Sequence, residues 1–285
     1  MLDKQQRELL KRMREDNISA GFPFVPLGWW EKVGEQFDTW FDEHGIADVT
    51  QQDYNRHFAG LGGQSALARY IEHLGGSLVE YEKLMEYTVG LLKCAIRRRY
   101  GVLLLSHLSP DANTNWDTLT AHEALLAIGE VNRDIFDKPV TVADLGAGWG
   151  RVGWMLMQLN RQARYIIYDI PDSLIISHTY LNRLIPDLCH PYGELSGEPG
   201  VYFLGSQELA NAQPADYLIT IATTQEMEAD HIAAYLDLIE KKTRWFYTLQ
   251  RRQTGKHYRP EWKEHFNRSP LWADYHFEAL FKMLP

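Results

Sequence analysis

Residues 142–151 read VADLGAGWGR: an apolar run, three glycines at alternate positions, then the start of a helix-spaced segment. A glycine-rich turn directly after a strand lets the backbone bend sharply and approach a ligand closely, while the following helix points its first N–H groups at the same place. This is the opening turn of a parallel βα unit, and few folds can be built around it. The rest of the C-terminal half agrees. Strand-like runs at 140–145, 163–169, 201–205, 216–222 and 244–250 alternate with helix-like stretches at 149–160, 172–185 and 229–242. Alternation of that kind predicts a parallel sheet with helices on both faces. Tyr165–Tyr168 and Tyr217–Ile221 are apolar throughout, as strands covered on both sides should be. The final segment alternates differently. Tyr275, Phe277, Ala279 and Phe281 oppose His276, Glu278, Leu280 and Lys282, which predicts an antiparallel edge strand closing the sheet. The expected fold class is α/β, a Rossmann-like doubly wound and mostly parallel sheet with an antiparallel terminal strand.

Residues 1–138 have another texture. Helical spacing recurs in Leu2 to Arg14, in Trp30, Val33, Phe37, Trp40 and Phe41, in Leu67 to Leu74, across 77–99, and after Asn115 through Ile128. Between the first two, FPFVPLGWW (22–30) breaks the pattern with two prolines and a glycine. The expected division is a helical N-terminal region, 1–138, capping the substrate side of a sheet domain, 139–285. Bare sheet edges offer too little wall to enclose an acceptor.

Bulk properties exclude several classes of function. The net charge of −9 is the wrong sign for a surface built on phosphate contacts, and Arg97-Arg98-Arg99 is read as a solvated helix face, so nucleic acid is not an expected partner. No apolar run approaches the roughly 18 residues of a membrane span, and the charged start MLDKQQRELLKRMRED lacks the apolar core of a signal peptide. Cys94 and Cys189 have no metal-like spacing and read as free thiols of a reducing compartment. The expectation is a cytoplasmic protein without a membrane partner. Assembly into a homo-oligomer is left open.

The glycine register separates two kinds of cofactor. GWGRVG (148–153) matches a dinucleotide fingerprint as written, but the first glycine after the strand is Gly146. Counting from Gly146 puts Arg151 where that fingerprint packs helix on sheet with a glycine. By contrast, Asp144-x-Gly146-x-Gly148-x-Gly150 resembles motif I of the class I S-adenosylmethionine-dependent methyltransferases. The resemblance implies that the loop wraps the methionine end of S-adenosyl-L-methionine and that Asp144 orients its amino group directly or through water. Asp169 ends the second strand, 19 residues after Gly150, where two carboxylate oxygens can accept both ribose hydroxyls. Ile170 beside it, with Ser206 and Gln207 after the third strand, completes the expected cofactor-binding set.

YDIPDSLIISHTYL (168–181), TTQEM (223–227) and WEKVGEQFDTWF (30–41) further resemble the sugar O-methyltransferases found beside polysaccharide and glycosylated natural-product pathways. That likeness implies a small-molecule acceptor, a sugar or glycoside. Thr224 and Gln225 are the expected substrate-binding residues, because ligands of open α/β sheets sit beyond the carboxyl ends of the strands. Methyl transfer to an alcohol benefits from a general base. Glu226 is the first candidate, His231 the second, and His122, beside Glu123 on an N-terminal helix, the third. No compact carboxylate cluster calls for a metal, so none is expected. The tryptophans Trp29, Trp30, Trp40 and Trp116 could stack on a sugar, although aromatics at helical spacing are more often core. The competing readings are a phenol, carboxylate or phosphate-type oxygen acceptor, an NAD-dependent oxidoreductase, and a cofactor-binding subunit without catalysis.

Overall fold

A computed structural model describes residues 2–26, 31, 34, 37–39, 41–42, 116–252, 257–270 and 276–283. Within them, a seven-stranded sheet carries the fold. Its strands are β1 (Thr141–Leu145), β2 (Arg164–Asp169), β3 (Gly200–Gly205), β4 (Ala215–Ile221), β5 (Thr243–Arg251), β6 (Lys263–Arg268) and β7 (His276–Lys282). They lie in the order β3-β2-β1-β4-β5-β7-β6. The first five are parallel, and β7 runs antiparallel to both β5 and β6. The order reverses between β1 and β4, which opens a crevice at their carboxyl ends.

The helices are α1 (Lys4–Ala20), α2 (Trp116–Val131), the single turn α3 (Asp134–Asp137), α4 (Arg151–Leu159), α5 (Pro171–Leu184) and α6 (Ala229–Lys242). Strand residues alternate between two apolar layers. Val142, Tyr165, Ile167, Tyr217 and Ile219 pack with residues of α1, α2, α4 and α5. Ala143, Ile166, Tyr168, Leu218 and Phe246 pack on the other face with Tyr235, Leu236 and Ile239 of α6. Both faces of the central strands are thus removed from water, as their continuous apolar runs require.

The Rossmann-like α/β fold expected from the sequence is present, with one correction. The terminal strand β7 is not the edge. It lies between β5 and β6, and residues 276–281 are all buried. Its alternation does not divide core from solvent. Phe277, Ala279 and Phe281 enter one apolar layer and Leu280 the other. The true edge is β6, KEHFNR, which no sequence pattern marked as a strand. Charged side chains on an outer strand deter pairing with other chains, and the same charges make the segment look like a loop.

At the N-terminus, Asp3 and Gln6 form a capping box for α1, which ends at Gly21. The helix runs further than the predicted Leu2–Arg14. It packs beside α5, with Arg14 paired to both Asp172 and Asp38. Phe37 and Phe41, on the predicted helical spacing, are buried with rings stacked 5.3 Å apart. Leu67 to Leu74, residues 77–99, Cys94, Arg97–Arg99 and the side chains of the four tryptophans named above lie outside the described residues. No helix among the described residues is long and apolar enough to cross a membrane.

One packing detail sets the height of α4 above the sheet. A Cβ on Gly153 would sit 2.6 Å from the ring of Tyr165 on β2, and that ring is held by its own hydroxyl bond to Asp144. The close helix–strand approach is therefore made at Gly153. Gly153→Ala is expected to cost about 1–2 kcal/mol, because overpacking against a fixed ring outweighs the gain of about 1 kcal/mol from better helix propensity. Gly197→Ala, with nothing within 4 Å of the added atom, is the control and should change stability by less than about 0.5 kcal/mol. Urea denaturation of the two variants checks this.

Candidate active site

The crevice is a cleft walled by the glycine loop, the ends of β2 and β4, the first turn of α6 and the N-terminal segment Pro23–Pro26. Gly146, Gly148 and Gly150 all have left-handed backbone, with φ of 77°, 61° and 85°. At Gly146 a side chain is excluded twice over. A Cβ there would lie 2.2 Å from Thr223 Cγ2. Gly146 and Gly148 line the cleft, while Gly150 packs against Leu181 at the head of α4. Ala222, at the end of β4 on the cleft wall, is the one non-glycine with positive φ (58°) among the described residues. Such strain costs on the order of 1–3 kcal/mol and concentrates at functional sites.

Asp169 stands at the centre. One oxygen accepts from Gly148 N (3.1 Å) and Ser173 Oγ (2.7 Å), the other from Ile170 N (2.8 Å). Burial pushes its carboxyl up to about 6, against the pull of those three donors. Each oxygen carries two lone pairs, so the oxygen facing Ile170 has acceptor capacity left. Ile170 and Ser206 line the cleft with it. Burial also pushes the Tyr235 hydroxyl, in contact with Ser206, up to about 12, so it stays protonated.

Asp144 is set back from the cleft. It is buried and is not among the lining residues, and its carboxylate accepts from the Tyr165 hydroxyl. Burial raises its carboxyl to about 7, opposed by Tyr165 and Arg151 and reinforced by Asp169. Gln207 departs from the expected cofactor set. Its side chain folds back over Gly205, accepts from Asn17 Nδ2 (3.3 Å) and lies outside the cleft lining.

The TTQEM stretch supplies two corrections and one residue the sequence reading overlooked. Thr224, expected to bind substrate, is fully buried and outside the lining, because the 3₁₀ turn Thr224–Glu226 points it into the protein. Gln225, expected likewise, is spent on holding the turn to β5. Its amide N–H donates to Gln250 Oε1 (3.2 Å), and its side-chain oxygen accepts from Arg251 N (2.8 Å). The overlooked residue is Thr223, which lines the cleft and donates to the carbonyl of Gly146 (3.2 Å).

Of the three base candidates, Glu226 and His231 are brought together on the cleft wall. His231, in the first turn of α6, is 7% exposed, and neither ring nitrogen has a hydrogen-bond partner among the described residues. Phe22 meets its ring edge-on at 4.9 Å. The side chain of His122 lies outside the described residues. Its helix, α2, packs on α4 and contributes no described lining residue. Arg151, Ser173, Tyr235 and Pro23–Pro26 also line the cleft. The two prolines gave only a helix break in sequence, and nothing local announces that the segment crosses a site some 120 residues further along the chain.

The carboxylates do not gather. Asp172 turns to Arg14, while Asp169, Glu226 and Glu228 remain on the cleft. Among the described residues no group of three or more His, Cys, Asp or Glu could hold a metal ion.

No protein-family model matches the chain, and no curated protein matches it. Similar solved structures include a SAM-dependent methyltransferase from Aquifex aeolicus, 13% identical, covering 54% of this chain and 88% of that one, with a TM-score of 0.40. A TehB-like SAM-dependent methyltransferase from Corynebacterium glutamicum is 13% identical over 57% of this chain and 87% of that one, TM-score 0.40. The magnesium protoporphyrin IX methyltransferase of Synechocystis PCC 6803, solved with bound SAM, is 11% identical over 72% and 96%, TM-score 0.41. The chain's own fold is a Rossmann-like sheet whose glycine turn opens a cleft beyond β1, β2 and β4.

Proposed function

We propose that this protein is an S-adenosylmethionine-dependent methyltransferase acting on a hydroxyl of a small polyhydroxylated molecule, a sugar or glycoside. The observation that carries the reading is one cleft holding a left-handed glycine loop, a carboxylate at the end of β2 tied to that loop, and a buried histidine with unpartnered nitrogens. The sheet favours this cofactor over a dinucleotide. A dinucleotide fold repeats its parallel mononucleotide half on the far side of the switch point, whereas here β5 is followed by the antiparallel strand β7 and then the edge strand β6.

The residues present fit the cofactor. Asp169 would accept from a ribose hydroxyl on the oxygen that faces Ile170, Ile170 offers an apolar face beside it, and Ser206 a hydroxyl. The cofactor supplies a methyl group on a positively charged sulfur, so the protein's work is positioning and proton removal. His231 would accept the proton of the acceptor hydroxyl, a role its unpartnered ring nitrogens support. A neutral imidazole has one nitrogen able to accept, and leaving both nitrogens unpaired when buried is costly unless a ligand completes them. Glu226 is the second base on the same wall. Thr223 and Glu228 add polar groups, while Pro23, Phe24, Val25, Pro26 and Met227 form an apolar wall that favours a glycoside with an apolar portion.

Calorimetry with S-adenosylmethionine, S-adenosylhomocysteine and NAD tests the cofactor. Binding of both adenosyl compounds and not of NAD is expected, and NAD binding alone would overturn the reading. A labelled-methyl transfer assay over sugars, glycosides and phenols then tests the acceptor class, with turnover of phenols alone counting against it.

A further inference from the structure

Arg151 is the one permanently charged cation among the described residues lining the cleft. In sequence it looked like a defect of the glycine fingerprint. In the fold it is the first residue of α4, 9% exposed, beside Gly146 and Gly148 on the cleft wall. Its guanidinium lies 5.9 Å from the centre of the Trp149 ring, and that ring meets Tyr180 edge-on at 4.5 Å, so the cation sits against a packed aromatic support. The first turn of a helix adds its own positive field. Asp144 is close enough for the guanidinium to favour its ionised form. Arg151 thus lines the loop end of the cleft, while the buried Asp144 near it does not. The unpartnered nitrogens of the buried His231 independently mark the same cleft as a place where a polar ligand is missing partners.

We propose that Arg151 recognises the carboxylate of the amino-acid end of an S-adenosyl ligand and so selects an adenosyl amino acid over a plain nucleoside. The proposal rests on the methyltransferase reading above. A guanidinium is always charged and presents two parallel N–H donors to a carboxylate, which makes the contact directional as well as strong. A fixed cation also accounts for a large, charged residue directly after the glycine loop, where close packing alone would select a small one.

The test uses the full chain and three probes: S-adenosylhomocysteine, decarboxylated S-adenosylmethionine and 5′-methylthioadenosine. Only the first has the carboxylate. Titration of Arg151→Gln should show a loss on the order of 10–100-fold for S-adenosylhomocysteine, the range for losing a charge-assisted bond. The two probes without the carboxylate should bind within about twofold of wild type, since surroundings that touch no lost group are little changed. Arg151→Lys keeps the charge without the fork, carries less risk to the fold, and should fall between the two. An unchanged affinity for S-adenosylhomocysteine in Arg151→Gln, or an equal loss for all three probes, would overturn the assignment. A change confined to the acceptor's KM would do so too, because it would place Arg151 on the acceptor. If wild-type protein binds none of the probes, the cofactor reading itself fails, and that outcome is distinct from both.

Discussion

His231→Asn should lower kcat by about 10²–10⁴-fold, the range for losing a general base, with little change in affinity for S-adenosylhomocysteine. Asparagine keeps a polar side chain of similar size in the first turn of α6 and removes the imidazole nitrogen that accepts the proton. The size of the effect follows from the setting. His231 is buried against Phe22, and neither nitrogen has a partner among the described residues. An imidazole kept only for packing would be expected to hydrogen-bond at least once, since each buried unsatisfied polar group costs about 1–3 kcal/mol. Glu226→Gln provides the contrast, as it keeps the shape and loses the charge. If its kcat falls by the larger factor while His231→Asn stays near wild type, the base is Glu226 and His231 is packing. Thermal melts of both proteins separate loss of chemistry from loss of fold.

Asp169→Asn should weaken binding of 5′-methylthioadenosine by about 10–100-fold, the equivalent of one lost hydrogen bond to a charged group at roughly 1.5–3 kcal/mol. The probe has the ribose and lacks the amino-acid end, so Asp144 and Arg151 do not enter. Asparagine has a single acceptor oxygen, and in this position its amide must also face the Gly148 N–H or the Ser173 hydroxyl. The pH dependence has a definite sign. Burial raises the Asp169 carboxyl to about 6 in the free protein. The ionised form is the one that accepts a ribose hydroxyl on the free lone pair of the oxygen facing Ile170, so binding favours proton loss. Affinity should therefore rise with pH up to about 6 and stay level above it. Calorimetry from pH 5 to 8 checks this, and the variant should show no such rise. Equal affinities for wild type and variant at pH 7.5 would make Asp169 a turn residue that only fastens Gly148 and Ile170.

The parallel sheet and its glycine turn were legible because they depend on local patterns. An apolar run of five or six residues bounded by glycine cannot form an amphipathic helix, and alternate glycines directly after a strand have few other uses. Asp169 was legible for a related reason, since the last residue of a parallel strand beside the switch point faces the crevice whatever the rest of the chain does. The edge strand β6 was not, because its charges serve the outside of the sheet and carry no apolar period.

Chemistry-bearing side chains were less legible where their direction is set by partners far along the chain. Gln207 and Gln225 have the right composition and stand at the right edge, yet Asn17 holds one and β5 the other. Thr223 and Thr224 are adjacent and identical in type. The 3₁₀ turn after β4 sends only the first into the cleft. Arg151 reads as a misfit until α4 is laid on the sheet. There, Gly153 makes the close approach to Tyr165 and leaves Arg151 on the cleft wall. The sequence by itself determined the class of fold, the loop and the acid at its centre, since these follow from backbone conformation and from which residues can leave water. Only the tertiary structure decided which polar groups face the cleft and which are consumed in holding it open. That choice rests on hydrogen bonds between segments far apart in the chain, such as the bond from Asn17 to Gln207.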